Sequence, residues 1–458
     1  MLHLYDTAAR AKVALSTRDA GHVRMYVCGP TVQDVPHLGH GRTALTFDVA
    51  RRYMEWRGYQ VTHVSNVTDV EDKIIAKARA EGLTEPEIAE RYETIHREQL
   101  ERLGVLPPHE VPHATDYIEQ MLNLIGDLVE MGHAYAVPGS GVYFEVPSYL
   151  EYGSLSGRTI ELLMESAGAR VEIDDAKRSP LDFALWKAVK SDEPSWDSPW
   201  GRGRPGWHIE CSAMALDLLG EGFDIHGGGS DLTFPHHENE IAQAEAGGHR
   251  FARHWMHSAM LNIKGEKMSK SLNNFLTLAD SIDIHGPRAL RLWMLQTHYR
   301  TQLDVAEDAL TAAKAALDGL DALARRARVA GIEPTVELER ADIDAFRSAM
   351  DDDFNTPQAL AALFDCARRA NAAIDRGDPE AAKLLATAND LAGALGLSFD
   401  DGSAARDDAD AGEIESLIEA RAAARADRNF AEADRIRDEL IAMGVHIEDS
   451  PTGTTWHR

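Results

Sequence analysis

Residues 24–64 read strand, helix, strand with no tight hairpin between them, and that order admits few folds. Arg24-Met25-Tyr26-Val27-Cys28 is a largely apolar run that stops at Gly29-Pro30, as a buried strand does. After His37-Leu38-Gly39-His40, the residues Leu45, Val49, Tyr53 and Trp56 fall on roughly one side of a helix, and Gly58 is placed to cap it. Residues 59–64 read as a second strand. Strands joined through a helix imply a parallel α/β unit, which binds ligands beyond the carboxyl ends of its strands. Cys28 lies at one such end and Asn66-Val67-Thr68-Asp69 at another.

The rest of the chain divides around this unit. From about residue 117 to 204 the pattern is interrupted by short aromatic pieces such as Val142-Tyr143-Phe144-Glu145-Val146 and by turn-rich stretches. This segment, 117–204, is expected to be an insertion between two halves, 1–116 and 205–303, of one α/β domain. The pattern resumes at Trp207, with a helix expected from Cys211, a strand Phe223-Asp224-Ile225-His226 and a helix from Pro235. Leu310, Ala313, Leu317, Leu320, Ala324 and Ala327 then recur at helical spacing, which predicts a helical bundle over 304–399. The acidic stretch 400–410 reads as a linker. Helical sequence to Met443 and a short hairpin around Pro451-Thr452-Gly453 complete a small C-terminal domain, 400–458.

Composition removes several classes. No apolar run among the 458 residues approaches the ~20 needed to span a bilayer. Met1-Leu2-His3-Leu4-Tyr5-Asp6 lacks the basic and then apolar regions of a secretory leader, so a cytoplasmic, membrane-free protein is expected. Three cysteines, Cys28, Cys211 and Cys366, are too few and too uneven for a disulfide framework. Cys366 lies in a helical apolar context and reads as a small core residue. The net charge of −28 argues against nucleic-acid binding along the whole surface but not against a local basic stripe.

Two sets of residues carry chemistry. Pro235-His236-His237-Glu238-Asn239-Glu240 opens a helix, which places His236 and Glu240 on one face at i and i+4. Cys28 and Cys211 join them only if the fold brings both α/β halves together, and a Cys₂-His-Glu set suits zinc. The alternative is a pair of ordinary buried cysteines and a solvated helix face. A zincin is excluded because Ile241 follows where a second histidine is needed, and His208-Ile209-Glu210 lacks the Pro-Cys-x-x-Cys of a deaminase. The second set handles phosphate. His37 and His40 lie at a helix start, where free N–H groups favour phosphate oxygens, and Gly39 lets a base or sugar approach the backbone. Lys267-Met268-Ser269-Lys270-Ser271 places Lys267 and Lys270 on one short segment, suited to the charge of a departing pyrophosphate. Taken alone, the two motifs read as a helix-capping histidine pair and a solvated basic loop. His226-Gly227-Gly228-Gly229-Ser230-Asp231 is a Gly-rich turn closed by a carboxylate that fits a ribose hydroxyl pair. It also reads as a plain strand–helix connection.

Taken together, these residues resemble the class I aminoacyl-tRNA synthetases, and within them the cysteinyl-tRNA synthetase family. His37-Leu38-Gly39-His40 matches the class I "HIGH" element, and Lys267-Met268-Ser269-Lys270-Ser271 matches "KMSKS" at every position. Met25-Tyr26-Val27-Cys28-Gly29-Pro30-Thr31, the run from Pro205 to Ser212 and the run from Phe234 to Glu240 are similar to the cysteine-specific blocks, and the resemblance extends to Trp456. It implies a Rossmann-like parallel-sheet domain with an insertion, a helical bundle and a small anticodon-binding unit. It also implies one Zn²⁺ held by Cys28, Cys211, His236 and Glu240, on which the thiolate of substrate cysteine would sit. Gly29, Thr31, Thr68 and Trp207 would line the amino-acid pocket. His37, Gly39 and His40 would face ATP, Gly229 and Asp231 its ribose, and Lys267 and Lys270 the leaving pyrophosphate, with Mg²⁺ accompanying ATP. The reaction implied is activation of L-cysteine to cysteinyl-adenylate and transfer to tRNA(Cys), by a monomer.

Two other readings compete. The related ligase that joins cysteine to an amino-sugar in mycothiol synthesis shares the metal set and both ATP motifs, but needs no long tRNA-reading C-terminal region. A non-catalytic, zinc-stabilised RNA-binding or scaffold protein would be expected to have lost His37, His40, Lys267 or Lys270, and all are present. Arg421, Arg425, Arg428 and Arg435 share a face if their segment is one helix, which suits phosphate contacts. Pairing with Asp427 and Asp434 is the alternative, and Asn429 is a candidate helix breaker.

Overall fold

The structure is a computed structural model and describes residues 1–167, 176–189, 193–263, 266–267, 276–400, 411–450 and 453–457. It contains two compact units, residues 1–306 with Asp351–Asn355, and Glu307–Met350 with residues 356–458.

In the first unit an antiparallel hairpin, β1 (His3–Asp6) and β2 (Ala11–Ala14), precedes β3 (His22–Val27), α1 (Leu38–Trp56) and β4 (Gln60–Ser65). Val23, Met25, Tyr26 and Val27 are all buried, as the near-continuous apolar run of a strand covered on both faces requires. β3 and β4 pair in parallel from His22↔Gln60 to Val27↔Ser65, and α1 crosses between them with Leu45, Val49 and Tyr53 buried. Gly58, at φ +87°, follows the helix in the left-handed conformation that ends it. The helices α2 (Asp72–Glu81), α3 (Glu85–Arg102) and α4 (Ile118–Glu130) then lead to β5 (Ala134–Val137), β6 (Gly141–Phe144), α5 (Ile160–Ala167), β7 (Phe183–Ala188) and β8 (Gly203–Pro205). These four strands form their own antiparallel sheet in the order β5-β6-β7-β8.

The chain re-enters the parallel sheet through α6 (Trp207–Leu219), β9 (Ile225–Gly229), α7 (Glu238–Ala246) and β10 (His254–Ser258). The sheet order is β10-β9-β3-β4, with every neighbour parallel. From β3 the chain winds toward β4, and from β9 toward β10, so the winding direction switches between β3 and β9. One apolar cluster joins Tyr26 and Val64 of the sheet to Phe144 and Trp186 of the antiparallel strands and to Ile209 and Met214 of α6. The inserted strands therefore share a core with the sheet they interrupt.

Three local expectations need correction. The helix near Cys211 begins four residues earlier, at Trp207, because Gly206 closes against the Ala184 carbonyl and caps it. The glycines after His226 are not a turn but the body of β9. A side chain at Gly227 would overlap the Phe47 ring of α1, and one at Gly228 would meet Leu232 and His237 at 2.9 and 3.0 Å. No regular helix starts at Pro235 either. Thr233–His237 form a wide π-type turn with Phe234 extended, and α7 begins at Glu238.

A third sheet, in the order β12-β11-β13, is built from β11 (Leu261–Ile263), β12 (Glu266–Lys267) and β13 (Leu303–Val305), with α8 (Leu278–His285) and α9 (Pro287–Leu295) between. Asp351–Asn355 also belong to this unit, although they lie in sequence between helices of the other. The buried Asp353 carboxylate accepts from the Tyr5 backbone N–H at 2.7 Å, the Tyr299 hydroxyl at 2.6 Å and Arg300 Nε at 2.7 Å.

The second unit comprises α10 (Glu307–Val329), α11 (Arg340–Asp351) as far as Met350, α12 (Thr356–Arg376), α13 (Glu380–Ala394), α14 (Ala411–Ala426), α15 (Phe430–Ala442), and the antiparallel pair β14 (His446–Ser450) and β15 (Gly453–His457). Leu310, Ala313, Leu317, Leu320 and Ala327 form the expected buried seam, while Ala324 is only half-buried beside the buried Leu323. Cys366 is a core residue of α12. Ile414, Ile436, Leu440, Val445 and Trp456 make a small separate core. The arginine face does not form. Arg428 adopts φ +59° and Asn429 caps α15, so the segment is two helices. Arg421 and Arg425 both bind Asp449, and Arg435 binds Glu432 and Glu439. The acidic linker lies mostly in 401–410, and the hairpin tip at 451–452; both are outside the described residues. Among the described residues no helix is long and apolar enough to cross a membrane.

Candidate active site

The winding switch between β3 and β9 leaves a crevice at the carboxyl edge of the sheet, the standard ligand position of such folds. Cys28 directly follows β3, and its N–H donates to the Gly227 carbonyl at 3.0 Å. Cys211 comes from the second turn of α6, His236 from the π-type turn and Glu240 from α7. Their donor atoms all lie within 4.8 Å of one another. Cys28 Sγ is 3.6 Å from Cys211 Sγ and 3.5 Å from Glu240 Oε1, and His236 Nε2 is 3.1 Å from Glu240 Oε1. Residues from both α/β halves thus meet in one cage, and Cys211, His236 and Glu240 are buried in it.

The electrostatics of the cage suit a cation. Burial, then the Cys211 contact and the Glu240 charge, push the Cys28 thiol well above its usual range. Contact with Cys28 lowers the Cys211 thiol, but burial and Glu240 outweigh it and raise the group. Burial, followed by His208 and His226, pushes His236 well below the ordinary imidazole value, which leaves the neutral ring a metal ligand needs. A divalent ion among these donors reverses the cost of ionising the thiols.

Sequence reasoning missed the layer behind the cage. His226 Nε2 stands 2.6 Å from Glu240 Oε2, and Cys28, His226, His237 and Glu240 form a second group with metal-ligand geometry. His237 Nδ1 lies 2.8 Å from His257 Nε2, whose other nitrogen meets Thr7 Oγ1 at 2.7 Å. His208 Nδ1 pairs with His236 Nδ1 at 2.8 Å. The available signal was the density of histidines on β9, on β10 and in the turn between them.

The expected amino-acid pocket residues surround the same cage. Trp207 stacks on His236 with ring centroids 4.2 Å apart. Thr31 and Thr68 form an isolated parallel bridge, and Gly29 N donates to Asn66 Oδ1 at 2.9 Å. Thr68 donates to Glu210 Oε2 at 2.9 Å, with both side chains buried.

His37, Gly39 and His40, three of the expected phosphate residues, lie at the start of α1. His37 is its N-cap, and Gly39 lies in its first turn. His37 Nδ1 accepts from the His40 N–H and His40 Nδ1 accepts from the His37 N–H, each at 3.2 Å, with the rings stacked at 3.6 Å. With both Nδ1 atoms used as acceptors, the neutral tautomers carry their protons on Nε2, as donors suited to phosphate oxygens. Burial first, then His37 and His96, keeps His40 well below its ordinary value and therefore neutral. Gly229 ends β9, where a side chain would meet Asp231 Oδ1 at 2.6 Å and Thr43 Oγ1 of α1 at 3.8 Å. This end of β9 thus borders the first turns of α1. Lys267 ends β12, and Lys270 lies outside the described residues. The segment just beyond returns to α1: Thr277 bridges His37, Leu38 N donates to the Leu276 carbonyl at 3.1 Å, and Leu278 N donates to Pro36 at 3.0 Å. Residues 276–278, downstream of the second phosphate signature, are therefore tied to the first by backbone pairing.

Comparison with known proteins agrees with this fold. Residues 14–315 match the family described as the tRNA synthetases class I (C) catalytic domain, residues 345–400 the DALR domain, and residues 407–456 the cysteinyl-tRNA ligase anticodon binding domain. The chain is 49% identical over 466 residues to a cysteine–tRNA ligase of Halorhodospira halophila, covering 100% of both. It is 50% identical over 465 residues to one of Pseudomonas putida, covering 100% of this chain and 99% of the relative. In fold it is similar to Mycobacterium tuberculosis methionyl-tRNA synthetase in complex with methionyl-adenylate, with a TM-score of 0.60 at 14% identity over 82% of this chain and 89% of the other. With full-length relatives near half identity and its own class I catalytic domain, the chain belongs to the cysteine–tRNA ligase family of class I aminoacyl-tRNA synthetases.

Proposed function

We propose that this chain activates L-cysteine with ATP to cysteinyl-adenylate and transfers the cysteinyl group to tRNA(Cys). The observation that carries this reading is the cage of Cys28, Cys211, His236 and Glu240, assembled from both α/β halves at the end of β3, the strand that precedes the His37–His40 helix start. Two thiols, an imidazole and a carboxylate fit zinc better than a hard cation. Zinc bound there would hold the substrate thiolate and not the nearly isosteric alcohol of serine.

The chain's own residues do the rest. Trp207, stacked on His236, and the Gly29, Thr31 and Thr68 edge enclose the amino acid and exclude water. The Nε2–H groups of His37 and His40, with the α1 N-terminus and the open backbone of Gly39, hold the ATP phosphates. Gly229 and Asp231 hold the ribose. Lys267 and Lys270 meet the charge that grows on pyrophosphate as the carboxylate of cysteine attacks the α-phosphorus. Mg²⁺ accompanies ATP. Residues 407–456 serve the tRNA, and the enzyme acts as a cytoplasmic monomer. Full-length similarity to cysteine–tRNA ligases, including the anticodon-binding segment, favours this reading over the mycothiol-type ligase. Exchange of labelled pyrophosphate into ATP with cysteine, measured with and without tRNA(Cys), tests it. Cysteine-dependent exchange and charging of tRNA(Cys) are expected, and exchange without any charging of tRNA would refute it.

A further inference from the structure

His208-Ile209-Glu210 is the sequence motif that the reaction has not absorbed. Glu210 precedes Cys211 on α6 and is wholly buried. Its Oε2 accepts from Thr68 Oγ1 at 2.9 Å, and among the described residues its Oε1 has no hydrogen-bond partner. A buried carboxylate with an orphaned oxygen is costly to fold and calls for a reason.

The hydrogen-bond directions around Thr68 supply one. A hydroxyl has one proton and two lone pairs. The Thr68 proton is committed to Glu210, and Asn66 Nδ2 donates to one lone pair at 3.4 Å. Asn66 is itself held by Gly29 N–H on its Oδ1. What Thr68 has left is an acceptor, its direction fixed by the Glu210 carboxyl group behind it. An acceptor held in that direction complements an ammonium group and repels a carboxylate.

We propose that Glu210 is a positioning residue for the α-ammonium of substrate cysteine, acting through the Thr68 hydroxyl. The inference rests on the amino-acid pocket described above, and it gives one end of that pocket to the ammonium while the cysteine cage takes the thiol.

The test uses the zinc-loaded enzyme and two ligands. Cysteine is followed by its KM in pyrophosphate exchange, and β-mercaptopropionate, which keeps the thiol and carboxylate but lacks the ammonium, by its competitive Ki. Glu210→Gln is nearly isosteric. It is expected to raise the cysteine KM about tenfold, the size of one charge-assisted hydrogen bond, with the β-mercaptopropionate Ki within about twofold and zinc per chain unchanged. Thr68→Val should show the same split, and Glu210→Gln added to it should change the cysteine KM by less than about twofold. Thr68→Val carries the test alone if Glu210→Gln does not fold. Equal weakening of both ligands, an unchanged cysteine KM, or a full second effect of Glu210→Gln on Thr68→Val would overturn the proposal. If β-mercaptopropionate does not compete with cysteine on the wild-type enzyme, the pocket assignment falls and takes the proposal with it.

Discussion

Gly29→Ala is a single-methyl perturbation whose consequence follows from position. Gly29 separates Cys28 from Pro30 and Thr31 and packs directly on the Asn66 backbone. A methyl group there would overlap the Asn66 carbonyl oxygen and lie 2.8 Å from its carbonyl carbon. Carbon atoms in contact prefer about 3.5–4.0 Å, so the two segments must part by at least about 1 Å. That movement strains the Gly29 N to Asn66 Oδ1 bond of 2.9 Å and the Thr68 N to Pro30 bond of 3.1 Å. At about 1 kcal/mol each, with overpacking of about 1–3 kcal/mol, the cost is about 3–5 kcal/mol. The same shift displaces Cys28 from Cys211 on one side and Thr68 from the pocket on the other. A misplacement of about 1 Å costs on the order of 10²-fold in rate. Cysteine-dependent pyrophosphate exchange should therefore fall about 10²-fold at saturating cysteine, with a lower melting temperature and less zinc per chain. Gly58→Ala is the control, because that glycine faces open space although its φ is +87°; it should lose stability and keep its exchange rate. A Gly29→Ala enzyme with wild-type melting and only a raised cysteine KM would refute the packing argument and leave Gly29 as a simple pocket wall.

Other outcomes follow from the same geometry. Lys270→Ala should slow adenylate formation far more than it weakens cysteine binding, since its charge acts mainly in the transition state; pre-steady-state adenylate formation measures this, and an unchanged rate would exclude the assignment. A chain ending at residue 399 should keep pyrophosphate exchange and lose tRNA charging, and charging at the full rate would show that the terminal segment does not serve tRNA. Cys211→Ser should lower zinc per chain by elemental analysis, and cysteine activation with it; a full complement of zinc would remove Cys211 from the ligand set. Hydrogen bonds from Arg421 hold the Asp449 carboxyl well below the usual carboxylate range, against opposing burial. A depressed folded value contributes stability above the unfolded value of about 3.9, and that stability is lost as pH falls through the folded value. Amide exchange of the Ile447 and Trp456 pair, corrected for intrinsic rates, should therefore lose protection below about pH 4, and Asp449→Asn should abolish that pH dependence.

The parts of the fold that the sequence revealed are those governed by local pattern. The apolar run before Cys28, the helical spacing from Leu45 to Tyr53 and the break at Asn429 are each specified within a few residues. The parts it hid depend on contacts between distant segments. Gly227 and Gly228 lie in a strand because Phe47 and His237 leave no room for a side chain there, and no local propensity announces that. The start of α6 depends on Gly206 closing against Ala184 across the antiparallel sheet. The arginine face is split at Asn429, and the sequence did not show that Asp449, on another element, binds Arg421 and Arg425. At the site the ligand types were legible and their meeting was implied by family resemblance, but the histidines behind Glu240 and the buried Glu210 were not. Their meaning comes from partners 14 residues away for His226 and 142 residues away for Glu210.

The cage is best understood as a product of the packing around it. Helix α6 is buried without a break from Ile209 to Ala215, and Ile209, Ala213 and Met214 belong to the cluster that joins the parallel sheet to the inserted strands. Rotating Cys211 away would drag those side chains out of an apolar core, at about 25 cal/mol for each Å² exposed. Glu240 is held in the same way, between Ile241 and Ala242 of the core on α7 and the His226 ring of β9. Cys28 is fixed by the β3 pairing that continues through its own N–H to Gly227. In a short zinc module the metal organises the chain. Here the donors ride on elements that have other reasons to be where they are. The insertion therefore contributes to the chemistry without supplying any donor of the Cys28, Cys211, His236 and Glu240 set: it completes the core against which α6 presents Cys211 to the crevice and Glu210 to Thr68.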